Sequence, residues 1–189
     1  MAKLASESLE KFLEKLASSS PVPGGGAAAA LVLAQAAALA EMVARLNLKR
    51  SEKNALSQKN IAPLAGMRHK FLRLLEEDAK IFAMLSVFKK EDRTKTSYQK
   101  TLRRAASIPF KMCVFAGQGV KIAVLEKNRT SQWLYSDLLE AMILFEAGFK
   151  AARLNVEINL SSMTDKNFCV KIKRDLNRIE GTIKKGNKL

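Results

Sequence analysis

Apolar residues recur at helical spacing through most of this chain. Residues three and four apart share one face of a helix, and the first and last such faces consist of Leu9, Phe12, Leu13 and Leu16, and of Phe168, Ile172, Leu176, Ile179 and Ile183. Alternating runs rich in Val, Ile and Thr, which indicate strands, are scarce. The pattern therefore predicts an all-α fold, a single-domain helical bundle over residues 1–189 with long and partly kinked helices.

Proline, glycine and charged runs divide the middle of the chain into further helices. The second helix is predicted over about 27–47 and the fourth over about 97–126. Pro63 is expected to kink or restart the third helix, because proline lacks the N–H group that a helix interior uses. The fifth helix is expected to begin at Ser136 or Asp137, whose side chains can accept hydrogen bonds from the free N–H groups of a first turn.

The stretch SSPVPGGGAAAA leads into the second helix. A glycine-rich turn at a helix start presents several backbone N–H groups, and the helix dipole favours negative charge there. Pro23, Gly24, Gly25 and Gly26 are therefore candidate substrate-binding residues. The alternative is a tight turn at which backbones pack closely. The small-residue helix that follows is expected to pack closely against other helices, in or near a dimer contact.

A single carboxylate interrupts the apolar face of the third helix. That face contains Phe71, Leu75, Asp78, Phe82 and Leu85, because these positions alternate between spacings of four and three. A carboxylate on an apolar face is costly unless it is paired, hydrogen-bonded or protonated, and burial raises its pKa toward the range useful for proton transfer. Asp78 is thus a candidate catalytic residue. A structural carboxylate that caps a helix or pairs with an arginine is the alternative.

Asparagine and aspartate side chains near the later helix ends form a second candidate group. The group consists of Asn128, Asp137, Asn155, Asn159 and Asp165, and Asn155 and Asn159 are one helical turn apart. Amides and carboxylates suit a heteroaromatic ligand with mixed donors and acceptors. Capping of helix ends is the alternative role for each.

The net charge indicates the kind of partner that the protein binds. The 189 residues carry a formal net charge of +15, and the pI is about 10.0, so an anionic partner is expected. A strong positive charge is typical of proteins that bind nucleic acid. However, the lysines and arginines are spread along the whole chain, and neither an RNP-like aromatic pattern nor a helix-turn-helix is present. Specific nucleic-acid binding is therefore not expected.

Cysteine and histidine usage limits the chemistry further. Cys113 and Cys169 belong to no CxxC pair, so reduced thiols and a cytoplasmic protein are expected. His69 is the only histidine, and no metal site is expected. The amphipathic N-terminus does not resemble a signal peptide. The uncharged run from Pro21 includes PVPGGG and Gln35, so no membrane span is expected.

Four segments in order carry a family resemblance. They are PVPGGGAAAA…EMVARLN, LLEEDAKIFAML, KNRTSQWLYSDLLEA and GFKAARLNVEINLSSMTD. Together they resemble the cyclodeaminase domain of formiminotransferase-cyclodeaminase and the related bacterial methenyltetrahydrofolate cyclohydrolases. The resemblance extends from about Leu4 to Phe168, and four motifs in sequence are far more specific than any one of them.

The resemblance implies a helical homodimer that acts on a tetrahydrofolate one-carbon derivative and needs no separate cofactor. The positive charge of the chain suits the anionic glutamate tail of folate, which is often polymeric. The resemblance assigns the catalytic carboxylate to Asp78 through EEDAKIF. It implies either conversion of 5-formiminotetrahydrofolate to 5,10-methenyltetrahydrofolate and ammonia, or hydrolysis of methenyltetrahydrofolate to 10-formyltetrahydrofolate. The sequence favours neither reaction over the other.

This chain departs from the family pattern at several positions. Ala27 stands where the family usually has serine, Asn47 where it has threonine, and Lys127 where it has glycine. Loss of the hydroxyl at position 27 removes a cap or a ligand contact. A non-catalytic folate-binding relative is therefore the first alternative, and a basic helical protein that binds nucleic acid is the second.

Overall fold

Helices make up the part of the chain that the structure describes. The computed structural model describes residues 4–50 and 55–188, and within those ranges it contains no strand. The α-helices are α1 (Leu9–Ala17), α2 (Gly25–Arg50), α3 (Ala55–Ser86), α4 (Thr96–Lys127), α5 (Tyr135–Ser161) and α6 (Lys166–Lys188), with short 3-10 turns at Leu4–Ser6, Lys90–Asp92 and Gln132–Leu134. The predicted all-α fold is confirmed.

Helices α2 to α5 form an antiparallel four-helix bundle. Helix α2 packs against α3 and α5, α4 packs against the same two helices, and α6 lies outside against α4. The bundle has two ends. At the Gly26 end α2 and α4 begin and α3 and α5 finish, and at the Glu126 end the directions are reversed. This arrangement places residues distant in sequence at the same end.

Helix α2 is the central helix because its residues are small and apolar on almost every side. Its alanines at 27, 29, 30, 36, 37, 40 and 44 are at most 1% exposed. Gly148 of α5 allows the close approach, since a Cβ atom there would meet the side chain of Leu33. These alanines are therefore buried within one chain. Other residues of α2, such as Gln35 and Met42, are exposed, so the expectation that this helix lies in or near a dimer contact stays a prediction.

Helix boundaries differ from the predictions where tertiary contacts override local signals. Helix α3 begins at Ala55 and continues through Pro63, so the predicted restart at Pro63 is wrong. Buried Asn60 and Leu64 on either side of the proline hold the helix in place. Helix α5 begins at Tyr135, one residue before the predicted start at Ser136 or Asp137, and no side chain caps it, so only the predicted capping role of these two residues is wrong.

Among the described residues, the helices α2 and α4 are long and apolar enough to cross a membrane by length and composition alone. In the bundle, 61% of the apolar window of α2 and 50% of that of α4 are buried. Core helices of a bundle meet the same criterion, because a helix surrounded by others is apolar on most sides.

A buried carboxyl group joins three helices at the Glu126 end. Glu126 of α4 has no exposed surface. It accepts hydrogen bonds from Asn47 Nδ2 at 3.0 Å, Ser57 Oγ at 2.8 Å and Asn60 Nδ2 at 2.7 Å. These bonds connect α2, α3 and α4, and they explain why Asn47 occupies a buried position on α2.

Candidate active site

Asp78 and Gly26 lie in direct contact at the Gly26 end of the bundle. A Cβ atom on residue 26 would overlap both carboxylate oxygens of Asp78. Gly26 is itself buried. Glycine is therefore required at this position for space, so that the α3 carboxylate can lie against the first turn of α2.

The carboxyl group of Asp78 has no partner to stabilise its charge. It is half-buried, and it forms no hydrogen bond or ion pair with a described residue. Burial alone raises the pKa of Asp78 from 3.8 to about 6, because desolvation disfavours the charged form. The structural alternative, a carboxylate that caps a helix or pairs with an arginine, has no support within the described ranges.

The first turn of α2 presents free backbone donors beside this carboxyl group. The first helical bond runs from Ala28 N to Gly24 O at 3.0 Å. The N–H groups of Gly25, Gly26 and Ala27 find no acceptor among the described residues. Pro23, which follows a cis peptide bond, is buried beneath this turn. The donors and the helix dipole favour a negatively charged or oxygen-bearing ligand group here.

Helix α5 contributes two asparagines to the same end. The side chain of Asn155 is 3.7 Å from where a Cβ atom on Gly25 would lie, and its Nδ2 donates to Ala151 O at 2.9 Å. Asn159 Nδ2 donates to Asn155 O at 2.8 Å and to Ala105 O of α4 at 3.2 Å. Both side chains are thus oriented by main-chain acceptors, and the Oδ1 atom of Asn155 faces the start of α2.

The structure separates the other two predicted binding residues from Asp78 within one chain. Asn128 ends α4 and Asp137 lies in the first turn of α5, both at the Glu126 end. Asp137 precedes Asn155 by 18 residues on one helix, which corresponds to about 27 Å. The candidate site of a single chain therefore contains Asp78, the residues from Pro23 to Gly26, Asn155 and Asn159.

Metal-ligating side chains do not cluster in the described part of the chain. No group of three or more His, Cys, Asp or Glu residues there could hold a metal ion. His69 is exposed on α3, and both cysteines are free and buried.

Sequence reasoning missed two features of this region. It treated Gly26 as a ligand contact, whereas the residue also makes room for Asp78. It also overlooked Lys80, Arg104 and Lys111, which line a groove between α3 and α4. Their spacing on each helix could have indicated a shared face, but only the packing of α3 on α4 brings the two faces together.

The fold and the site together define a class of protein. It is an all-helical bundle that holds an unpaired, half-buried carboxyl group against the first turn of a helix, where the backbone N–H groups are free. Such a site is suited to proton transfer on a polar ligand. A sequence model described as formiminotransferase-cyclodeaminase matches residues 8–178. The chain belongs to this family, and the resemblance drawn from the four motifs is confirmed.

Individual relatives extend the comparison. Methenyltetrahydrofolate cyclohydrolase from Methylorubrum extorquens is 29% identical over 94% of this chain and 89% of its own length. Formimidoyltransferase-cyclodeaminase from Rattus norvegicus is 32% identical over 87% of this chain, which spans only 32% of that protein. The crystal structure of formiminotetrahydrofolate cyclodeaminase from Thermotoga maritima matches with a TM-score of 0.90 and 27% identity, over 97% of this chain and 93% of that one.

Gly26→Ala should displace the Asp78 carboxyl group and lower turnover by about 10²-fold, because misplacement of a reacting group by about 1 Å has effects of that size. The protein should stay folded, since the obstructing atoms are the end of one side chain that can rotate. Gly66→Ala on α3 is the matched control, because a Cβ atom there meets nothing within 4 Å. Turnover and thermal melting of both variants test the prediction, and normal turnover of Gly26→Ala would contradict it.

Proposed function

We propose that this chain is an enzyme of folate one-carbon chemistry, either a formiminotetrahydrofolate cyclodeaminase or a methenyltetrahydrofolate cyclohydrolase. The observation that carries the proposal is the Asp78 carboxyl group, whose pKa of about 6 lets it exchange a proton near neutral pH. Family membership and the names of its relatives support the substrate class.

Both reactions need a group that accepts a proton and then returns it. In the deaminase reaction N10 of the folate attacks the carbon of the protonated formimino group and loses its proton, and the formimino nitrogen gains that proton and leaves as ammonia, so that the methenyl product keeps the positive charge. In the hydrolase reaction water attacks the cationic methenyl carbon and loses two protons in all, one of which is transferred to a ring nitrogen as the ring opens, while the other is released to solvent. The Asp78 carboxyl group can carry the transferred proton in either sequence.

The neighbouring groups have supporting roles in this proposal. The N–H groups of Gly25 and Gly26 would donate to an oxygen or nitrogen acceptor of the pterin, and the glycines allow the ligand to approach the backbone. Asn155 and Asn159 would contact the donors and acceptors of the same ring system. Ala27 supplies no hydroxyl, so orientation at this turn would depend on the main-chain donors.

Separate assays with 5-formiminotetrahydrofolate and 5,10-methenyltetrahydrofolate test the function and distinguish the two reactions. Appearance of the methenyl chromophore from the first substrate would indicate deamination. Loss of this chromophore from 5,10-methenyltetrahydrofolate, faster than in the uncatalysed reaction, would indicate hydrolysis. Calorimetric binding of folate without either turnover would replace the proposal with the non-catalytic relative. Binding of a generic DNA duplex alone, falling steeply with salt, would replace it with the nucleic-acid protein.

We also propose that the active form is a homodimer that pairs the α5 helices. An exposed apolar stripe on α5 includes Ile143, Leu154 and Ile158, which are 62%, 67% and 68% exposed. Asp137 and Asn155 are separated by about five full turns, so they lie along the same edge of this stripe. An antiparallel α5 pair would place the partner's Asp137 beside Asn155 and would reunite the separated motifs in one site.

Ile143→Lys should produce a monomer with strongly reduced turnover, because a charge on this stripe opposes its burial. Val170→Lys on α6 is the control, since it changes an equally exposed apolar residue elsewhere. Light scattering and turnover measure both effects.

Mixing Asp78→Asn with Asp137→Asn should restore about a quarter of the native activity, because half of the random dimers would hold one intact site. A native protein that stays monomeric at micromolar concentration, or a mixture without recovery, would overturn the shared site.

A further inference from the structure

Trp133 is the only tryptophan of the chain, and its side chain is 69% exposed. It lies in the 3-10 turn Gln132–Leu134, which leads directly into α5. The turn is anchored to the bundle, because Leu134 is only 2% exposed and its N–H group donates to Ser131 O at 3.0 Å. A fixed backbone thus presents a large aromatic ring to solvent, outside the core of its own chain.

The exposed apolar stripe of α5 continues to Trp133 at the start of the helix. Ile158 follows Trp133 by 25 residues, which corresponds to about seven full turns, so the two side chains lie on one face. Asp137 follows Trp133 by about one turn on the same side. Trp133 therefore lies where the apolar stripe meets the edge that carries Asp137 and Asn155.

The antiparallel pair of α5 helices described above would bring this ring to the other subunit's site. In that pair Asp137 lies beside the partner's Asn155. Trp133 precedes Asp137 by four residues, and Asn159 follows Asn155 by four residues. Because the two helices run in opposite directions, both steps of about 6 Å lead the same way. Trp133 then lies beside the partner's Asn159, at the Gly26 end of the partner subunit.

The groups that meet at the Gly26 end within one chain are polar. They are the carboxyl group of Asp78, the N–H groups of the first turn of α2, and the amides of Asn155 and Asn159. These groups can bind the edge of a flat heteroaromatic ring, but they do not cover its face. An indole supplies such a face, and with two side-chain torsions it loses little conformational freedom when it stacks.

We propose that Trp133 of each subunit stacks on the pterin ring of the folate bound in the partner's site. The proposal rests on the proposed function and on the α5 homodimer, and it adds a binding residue that acts across the interface. The ring holds the substrate while Asp78 transfers the proton. Loss of the ring should therefore weaken substrate binding and leave the chemical step unchanged.

The first test is steady-state kinetics of Trp133 variants. Trp133→Ala should raise KM about tenfold, the usual effect of removing one stacked aromatic side chain, and kcat should stay within about twofold. Trp133→Phe keeps a ring, so its KM should stay within about threefold of the native value. Val170→Ala, which trims an equally exposed apolar residue on α6, should change neither constant. An unchanged KM in Trp133→Ala, or a raised KM only because light scattering shows a dissociated dimer, would overturn the proposal.

A mixed dimer tests whether the ring acts across the interface. One subunit carries Asp78→Asn, the other carries Trp133→Ala, and two different tags allow purification of the mixed species. The subunit with an intact Asp78 then faces the partner's native Trp133, so its site should have the native KM and the dimer about half of the native kcat. A KM raised about tenfold would place the ring in its own chain's site and contradict the proposal, as would a native protein that forms no dimer.

The third test does not depend on turnover, because the sole tryptophan reports on this ring alone. Binding of 5-formyltetrahydrofolate, which carries the pterin ring, should quench the fluorescence of Trp133 with the Kd that calorimetry gives. Combining Trp133→Phe with Val170→Trp moves the indole to α6, and its emission should fall no more than that of free tryptophan at the same ligand concentration. Quenching without turnover of either substrate would refute the proposed function and retain the stacking contact. Turnover in a protein whose bound ligand leaves Trp133 unquenched would refute the stacking contact and retain the function.

Discussion

Asp78→Asn is expected to lower turnover by about 10²-fold or more, the usual effect of removing a general acid or base. Asparagine preserves the shape of the side chain that lies against Gly26 and removes only its titrating proton. Affinity for folate should stay within a few-fold, because the other contacts proposed for the ligand remain. The loss should therefore appear in kcat rather than in KM.

The same substitution should stabilise the protein at neutral pH. The pKa of Asp78 is raised from 3.8 to about 6 in the folded state, so between these values the folded protein binds more protons than the unfolded chain. Stability contributed by this group is complete below about pH 4 and is lost as the pH rises through about 6. The difference corresponds to at most about 3 kcal/mol at neutral pH, and Asp78→Asn should recover part of it.

Melting curves and pH–rate profiles of native protein and variant check both statements. If Asp78 acts first as a base, native kcat/KM should rise with pH through about 6, and the remaining activity of Asp78→Asn should lack that rise. Glu14→Gln, which removes an exposed acid on α1, should change neither stability nor rate. A destabilised variant whose folded fraction turns over normally would exclude Asp78 from the active site.

Glu126→Ala is expected to cost about 3–5 kcal/mol of unfolding free energy, the largest stability effect that we predict. Three buried donors, on Asn47, Ser57 and Asn60, lose the acceptor that holds α2, α3 and α4 together. Glu126→Gln should cost less, because it keeps the volume and one of the two acceptor oxygens.

Urea unfolding midpoints measure this effect, with Glu14→Ala on α1 as the exposed control, for which a change within about 0.5 kcal/mol is expected. An unchanged midpoint would show that the three donors find other partners when the carboxyl group is removed.

Local patterns were sufficient for the helical fold and for singling out Asp78, whereas its catalytic role came from the family resemblance and stays a prediction. Apolar spacing of three and four requires no knowledge of neighbouring elements, and it placed α4 within one residue of its observed ends. A carboxylate on an otherwise apolar face signals a desolvated group for the same reason. The four motifs also carried the family assignment, because their order is a property of the chain itself.

Tertiary packing decided what these residues contact. The sequence alone could not show that Asp78 lies against Gly26, because the residues are 52 positions apart and meet only when α2 packs on α3. It could not reveal that Asn47, Ser57 and Asn60 share the carboxyl group of Glu126 as a buried acceptor. In the sequence each of the three is a polar residue within a helix, and nothing there indicates the common partner. The sequence could not show which part of the alanine-rich helix α2 is covered within the chain, because that depends on the packing of α3, α4 and α5 against it. Helical periodicity specifies which face of each helix is apolar, whereas the pairing of those faces depends on the packing of the whole bundle.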